Sequence, residues 1–327
     1  MSRALRFDHF GPPAEALQLV DVPQPNPGPG QVRLRLTHRA INPSDLLTVS
    51  GHYGRLPTLP AVPGFEAVGR IAALGEGVTG WQIGQRAIPR GGGGTWQEEI
   101  IVNAAQLLPV AEGVPDQSAA QFIVNPVTAW VMMTDELDLQ PGQWLLQTAA
   151  GSTLGRTLIQ MAQLEGVKTI NLVRRREQVQ ELLDLGADAV ICTEDGDVVA
   201  QVMALTGGKG VHGAVDAVGG KTGTLAASCL RAGATLLIYG GLSGQAIPLN
   251  GGEMIFKGTT VRGFWLTFWF GAKPQPHVQA VLTKLMALMA QGKIVPPVEA
   301  EYDLADFRQA VLHAETPGRA GKVLLVG

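Results

Sequence analysis

The stretch QWLLQTAAGSTLGRTLIQMAQLEG, residues 143–166, decides the fold. It opens with a short apolar run, passes through a turn of small residues and continues with helical spacing. A strand that turns into a helix in this way is where the pyrophosphate of a dinucleotide binds. Small residues let the backbone approach the phosphates, and the helix N-terminus offers free N–H groups and a partial positive charge. The strict GxGxxG pattern is absent: Gly151 and Gly155 are present, with Ser152 and Thr153 between them. The signal therefore rests on the strand–turn–helix context as much as on the glycines.

Moving outward, the same pairing recurs. KTINLV precedes REQVQELLDLG, ADAVICT precedes DVVAQVMALTGG, VHGAVDAVG precedes KTGTLAASCLRAG, and ATLLIYGG closes the series. Alternating apolar strands and amphipathic helices specify an α/β arrangement of βαβ units, its parallel sheet covered on both faces. Right-handed crossovers make that sheet a doubly wound Rossmann domain. Upstream, the first third reads as irregular β structure. QVRLRLTHRAI alternates charged and apolar residues, PQPNPGPG is a Pro/Gly loop, and AVGRIAALG and WQEEIIV suggest a further strand pair, with GEGVTG and RGGGGT as turns. Downstream, PHVQAVLTKLMALMAQGKI reads as a helix and GKVLLVG as a terminal strand that returns the chain to its first domain.

Composition agrees with a two-domain globular chain. The 327 residues exceed the ~150 of one typical domain, and 46% are hydrophobic against 16% charged, enough for a large core. The 42 glycines and 21 prolines together stay below the ~25–30% that marks low complexity, so they belong to turns and close backbone contacts. A net charge of −3 calls for neither a nucleic-acid nor an acidic-membrane partner. The start, MSRALRFDHFGPP, has no apolar core of a secretory signal, and no run approaches a membrane span. Cys192 and Cys229, outside any CxxC pair, read as buried thiols of a cytoplasmic protein.

After the second strand of the series, where an NAD site would carry an acidic residue for the ribose hydroxyls, stand Arg174, Arg175 and Arg176. Cations at a helix N-terminus oppose the helix dipole by roughly 0.3–1 kcal/mol each. Bidentate binding of a 2′-phosphate offsets that penalty and points to NADPH; a solvated arginine cluster is the alternative. Asn125 and Thr128 offer donor and acceptor groups, or equally satisfy local backbone. Gly240 and Gly241, after the strand ending IYGG, permit close backbone approach to a nicotinamide. Phe264, Trp265, Phe268 and Trp269 suit packing or a subunit interface.

Together GFEAVGRI, NPVTAW, LQPGQWLLQTAA and LLDLGADAVI resemble the medium-chain dehydrogenase/reductase superfamily over essentially the whole chain. That resemblance implies a β-rich GroES-like catalytic domain over residues 1–120, completed by 270–327, and a Rossmann NADPH-binding domain over 121–269. Zinc-containing members of the superfamily ligate their catalytic metal with a Cys near the NPSD position and a His in a GHE motif. Here those places hold Asn42-Pro43-Ser44-Asp45 and Gly64-Phe65-Glu66, and Phe is no zinc ligand, so no metal is expected. Among zinc-free members the chain is most similar to the 2-enoyl thioester reductases, through INPSD, GHYG, LPAVPGFE, NLVRRRE, YGGL and GFWLTFW. By matching position, this resemblance implies cofactor contacts from Asn125, Gly151, Ser152, Thr153, Leu154, the three arginines, Tyr239, Gly240, Gly241, Leu242, Phe264, Trp265, Leu266 and Lys322. Thr153-Leu154 departs from the more usual Gly-Val pair of that family.

In GHYG, Tyr53 occupies the position of the family's catalytic tyrosine, and LPTLPAVPG after it suits the wall of an acyl site. The implied reaction places a hydride from the nicotinamide on C3 of an enoyl thioester and a proton on C2. A phenol with an ordinary pKa near ~10 keeps its proton at pH 7 and is able to give it. His52 is a second acid, but neighbouring side chains on extended backbone point apart. Tyr302, in EYDLADF, reads as part of a segment leading into a helix and is set aside, while Glu66 and Asp45 fix loop geometry. The competing readings are a zinc-free quinone or enone reductase, which needs no tyrosine donor, and a non-catalytic NADPH-binding protein. Implied partners are a small-molecule or acyl-thioester substrate, carried on CoA or acyl carrier protein, and a second copy of the chain paired through the strand at VRGFWLTFW as a homodimer.

Overall fold

In Gln31–Ala40 (QVRLRLTHRA), Val32, Leu34 and Leu36 face the interior while Arg33 and Arg35 turn outward, the alternation expected of a strand with one wet face. This strand organises the first of two units in the computed structural model, which describes every residue except Pro25 and Gly92. Those two belong to the Pro/Gly loop at 23–30 and the RGGGGT turn and lie outside the described residues. The first unit comprises Met1–Val124 and Lys284–Gly327, the second Asn125–Thr283.

The first unit carries a seven-stranded sheet. Its order is Val298–Asp303, Lys322–Val326, Gln31–Ala40, Ala67–Leu74, Arg86–Pro89 and Leu107–Pro109, with Glu99–Asn103 also paired to Gln31–Ala40. The two strands expected to pair with each other, AVGRIAALG and WQEEIIV, instead both pair antiparallel with Gln31–Ala40. That strand is ten residues long, enough to hold both partners and the terminal strand as well. Lys322–Val326 lies against it with Leu324 opposite Ala40, so the end of the chain belongs to this unit. Its core joins Leu5, Phe7 and Trp96 to Phe307, Val323 and Leu325, residues from both ends of the sequence.

The second unit is the expected doubly wound Rossmann sheet. Six parallel strands lie in the order Ala189–Cys192, Lys168–Val173, Trp144–Gln147, Val211–Asp216, Leu230–Ile238, Thr260–Gly263. Counted along the chain this is 3-2-1-4-5-6, the order of dinucleotide-binding sheets. Adjacent strand residues serve different cores, as the pleat requires. Ile191 joins the cluster with Val198, Val202 and Ala226, and Cys192 joins the one with Ile159 and Leu182. Both faces are therefore covered by helices, which is why these strands read as continuous apolar runs.

Candidate active site

The turn of small residues lies between the strand Trp144–Gln147 and the helix Thr153–Leu164. The chain turns through Ala149, held at φ 50°, before Ser152 caps the helix Thr153–Leu164 by accepting the Gly155 N–H at 3.1 Å. A Cβ on Gly155 would overlap the backbone carbonyl of Ala150, so glycine lets helix and loop pack this closely. Ser152 N–H is taken by Ala149 O, leaving the first-turn N–H groups of Thr153 and Leu154 for an anion. Gln178, at the start of the next helix, lies against Gly151.

Sequence reasoning did not single out Asp216, which ends Val211–Asp216 and is fully buried. Its carboxylate accepts the Thr148 hydroxyl at 2.6 Å, the Val218 N–H at 3.0 Å and the Gly219 N–H at 2.8 Å. It thereby ties the loop after the first strand to the loop after the fourth. The next strand is joined too, since Tyr239 N–H donates to Asp216 O at 2.9 Å and Leu242 N–H to Ala217 O at 3.0 Å. A Cβ on Gly240 would stand 2.9 Å from Ala217 O, which explains the glycine there.

Arg174 and Arg176 are exposed and Arg175 half-buried, all ahead of the helix Gln178–Asp184. Arg176 forms an ion pair with Asp195 on the neighbouring loop. Further on, Phe264 N–H donates to Ile238 O at 2.8 Å, and Trp265 precedes the helix Leu266–Ala272 with its ring 5.0 Å from Phe268. Phe264, Trp265 and Leu266 are half-buried. Trp269 is buried instead, its Nε1–H donating to Asp135 Oδ2 at 2.9 Å, with His277 Nε2 2.6 Å from the same oxygen.

Tyr53 and Lys322 belong to the first unit, and the other residues selected from sequence belong to the second. Asn42 caps Pro43–Val49 in a reciprocal box with Asp45, whose Oδ2 accepts the Asn42 N–H at 2.7 Å. After this helix, Tyr53 N–H donates to Leu47 O at 3.1 Å and its ring lies 5.3 Å from that of Phe65. Tyr53 is half-buried and His52 exposed. Lys322, expected among the cofactor contacts, is buried and donates from Nζ to Asn42 Oδ1 at 2.7 Å. Asn42 Nδ2 in turn donates to Glu66 Oε1 at 2.8 Å, and Glu66 Oε2 accepts the N–H groups of Ile123 and Val124 at 3.1 and 2.8 Å. Burial is the main cause of every shift here. It pushes the Asp45 carboxyl up to about 7, pushes Glu66 up as well, and brings the Lys322 ammonium down to about 8.

The segments 42–45 and 64–66, matched in sequence to metal-binding positions, do meet, but as this cluster of amide, carboxylates and ammonium. Among the described residues no group of three or more His, Cys, Asp or Glu side chains is placed to hold a metal ion. The second unit does fit NADPH. Asn125 Nδ2 and Tyr239 Oη are both buried without a hydrogen-bond partner. A bound nicotinamide half would supply the partners such groups require. Three cations stand beyond the second strand and would suit a 2′-phosphate, and the helix N-terminus behind the first would suit a pyrophosphate.

Comparison with known proteins agrees. The Zinc-binding dehydrogenase family matches residues 153–287 and the Alcohol dehydrogenase GroES-like domain residues 28–112. The chain is 34% identical to the mitochondrial enoyl-[acyl-carrier-protein] reductase of Homo sapiens over 328 residues, 99% of this chain and 88% of that one. It is 34% identical to the Caenorhabditis elegans enzyme of the same description over 317 residues, 95% and 91% of the two chains. Among solved structures, the quinone oxidoreductase of Escherichia coli complexed with NADPH superposes with a TM-score of 0.90 at 25% identity, covering 100% of both chains. That of Pseudomonas syringae does so with a TM-score of 0.90 at 27% identity, again over 100% of both. The chain belongs to the zinc-free medium-chain dehydrogenases/reductases, close to the enoyl thioester reductases, and is an NADPH-dependent oxidoreductase acting on carbon–carbon double bonds.

Proposed function

We propose that this enzyme reduces the C2=C3 double bond of 2-enoyl thioesters, carried on CoA or acyl carrier protein, with Tyr53 as the proton donor. The observation that carries the reading is the seating of Tyr53. Its backbone is tied to Leu47 and its ring packed on Phe65, in a chain 34% identical over 99% of its length to an enoyl-[acyl-carrier-protein] reductase. NADPH, when bound, supplies the hydride that adds to C3. Negative charge then moves onto the thioester oxygen, and the phenol delivers its proton to C2, so that hydride and proton together saturate the bond. In the same reading Arg174, Arg175 and Arg176 hold the 2′-phosphate, and Gly151, Ser152, Thr153 and Leu154 the pyrophosphate. Asn125, Thr128, Tyr239 to Leu242 and Phe264 to Leu266 orient the nicotinamide half.

A second reading, quinone or enone reduction without a tyrosine donor, is favoured by the superposition on quinone oxidoreductases. Loss of NADPH absorbance with crotonyl-CoA, a longer enoyl-CoA and a naphthoquinone separates the two. Turnover of the thioesters supports the proposal, and turnover of the quinone alone replaces it.

The assembly we propose is a homodimer through Thr260–Gly263, the outer strand of the parallel sheet, whose flanking segments expose Ile255, Phe256 and Phe268. We place the enzyme in the cytoplasm, where its two buried, unpaired cysteines stay reduced. No helix among the described residues is long and apolar enough to cross a membrane. Imaging of the tagged protein in its own cells tests the compartment, and colocalisation with mitochondria, the compartment in the relatives' names, would overturn it.

A further inference from the structure

The cluster around Asn42 is more than a filled interior, because two structural paths lead from it to Tyr53. The first runs through the helix. Asn42 caps Pro43–Val49, and Leu47 O, in the last turn, accepts the N–H groups of both His52 at 2.8 Å and Tyr53 at 3.1 Å. Where that helix begins therefore sets where Tyr53 sits. The second runs through Glu66, whose carboxylate accepts the Asn42 amide and two backbone N–H groups. Those bonds hold the chain at Phe65, the ring against which Tyr53 packs.

Asn42 is the joint of both paths, and Lys322 fixes its orientation. A carboxamide is nearly symmetric in shape, so its partners decide which end points where. Lys322 Nζ–H pins the Oδ1 end and Glu66 Oε1 the Nδ2 end, all in the interior. The terminal strand brings the ammonium there: Ile41 N–H donates to Val323 O at 3.1 Å, and continuing that antiparallel register sets Lys322 opposite Asn42. The ammonium also feels the Glu66 and Asp45 carboxyls across the cluster, an attraction that offsets part of the cost of burying it. Without the ammonium, Asn42 Oδ1 loses its charged partner, and the Glu66 and Asp45 carboxyls lose the cation that faces them.

We infer that Lys322 is a positioning residue for proton delivery: it locks the Asn42 carboxamide and thereby seats Tyr53 from both the helix and the Phe65 side. The inference rests on the reading of Tyr53 as donor, and it gives Lys322 a role in addition to the implied cofactor contact.

The test is a cycle of Lys322→Met, Tyr53→Phe and the double variant, read by kcat with crotonyl-CoA and by the Kd of NADPH. Lys322→Met is expected to lower kcat about 10-fold or more, since small misplacements of a reacting group are costly. It should cost less than about twofold in the Tyr53→Phe background. Equal losses in both backgrounds, or a weakened NADPH complex with kcat retained, would overturn the proposal. Should Lys322→Met fold poorly, Lys322→Met combined with Glu66→Gln removes both charges and lets the Asn42 amide turn over to satisfy its new neighbour. It keeps the same expected outcome. Fluorotyrosine labelling reads the positioning without any chemistry, because the chain has only 3 tyrosines. The Tyr53 resonance should move or broaden on Lys322→Met while those of Tyr239 and Tyr302 hold; an unmoved Tyr53 resonance contradicts the inference. If Tyr53→Phe itself keeps full turnover, the donor reading fails, and the fluorine spectrum still decides whether Lys322 seats Tyr53.

Discussion

Lys322 and Asn42, 280 positions apart in the chain, are joined by a 2.7 Å hydrogen bond in the interior of the β-rich unit. The Asn42 backbone N–H also donates to Asp45, so ammonium, amide and carboxyl share one buried volume with Glu66. Water is excluded there, and the protonation of these groups is tied to folding.

That coupling gives a pH dependence of definite sign. An unfolded Asp45 titrates near ~3.9, and the folded one near about 7. Between those values the folded protein holds a proton that the unfolded chain has released, so stability falls as pH rises from 4 to 7. At ~1.36 kcal/mol per pH unit, Asp45 contributes a fall of order 3 kcal/mol, and Glu66, raised by the same burial, adds to it. Lys322, lowered to about 8, acts in the opposite sense at higher pH, its contribution rising as pH climbs from 8 toward that of free lysine. Urea unfolding across pH 4–7 should show the decline, and Asp45→Asn, which still accepts the Asn42 N–H, should flatten it. An equal slope in that variant would be the contrary result.

Asp216 predicts a loss in the Rossmann unit. Replacing it by Ala leaves the Thr148 hydroxyl and the N–H groups of Val218 and Gly219 without their acceptor. Each buried unpaired group costs about 1–3 kcal/mol, so Asp216→Ala should lower the melting temperature and weaken NADPH binding together. Asp216→Asn, which keeps one acceptor, should fall between the variant and the wild type. Thermal unfolding with and without NADPH checks both.

These two residues also show what a sequence conceals. The Rossmann order and the strand–turn–helix at 144–164 were legible because each strand, turn and helix is a local pattern with its own period. Asp216 had a local signal as well, an acidic residue closing the apolar strand VHGAVD just before AVGG. Lys322 had none: only the register of the last strand against Gln31–Ala40 brings it to Asn42. Pairing is equally non-local for Ala67–Leu74 and Glu99–Asn103, which flank Gln31–Ala40 instead of one another. Tyr302 lies in the strand Val298–Asp303, which runs directly through Leu304–Asp306 into the helix Phe307–Glu315, and its hydroxyl is 3.0 Å from His313 Nδ1. That strand is at the sheet edge, and VEAEYD alternates apolar and acidic residues as a half-buried strand does, so its period-2 signal was present in the sequence.

The arginines predict cofactor preference. A hydrogen bond to a charged group is worth about 1.5–3 kcal/mol, whereas an exposed ion pair such as Arg176 with Asp195 is worth ~0–1 kcal/mol. If Arg176 holds the 2′-phosphate as proposed, the phosphate should therefore outcompete Asp195 for it. Arg174→Ala and Arg176→Ala should each raise the Kd of NADPH by ~10-fold or more and leave that of NADH within about threefold. Fluorescence titration with both cofactors reads the difference, and parallel losses for the two would assign the arginines to the solvated surface.

The edge strand predicts a dimer. Light scattering should give twice the chain mass of 34.5 kDa. Phe256→Asp with Phe268→Asp, two exposed side chains flanking Thr260–Gly263, should give the single mass with the fold intact. A single mass for the wild type at micromolar concentration would remove the dimer.

The most direct test of the whole reading is the turnover of crotonyl-CoA by Tyr53→Phe beside the wild type at saturating NADPH. Loss of a general acid costs ~10²-fold or more in kcat, and that loss, with the Kd of NADPH unchanged, is the predicted result. A variant that reduces the thioester as fast as the wild type would make Tyr53 a packing partner of Phe65 and contradict its role as proton donor.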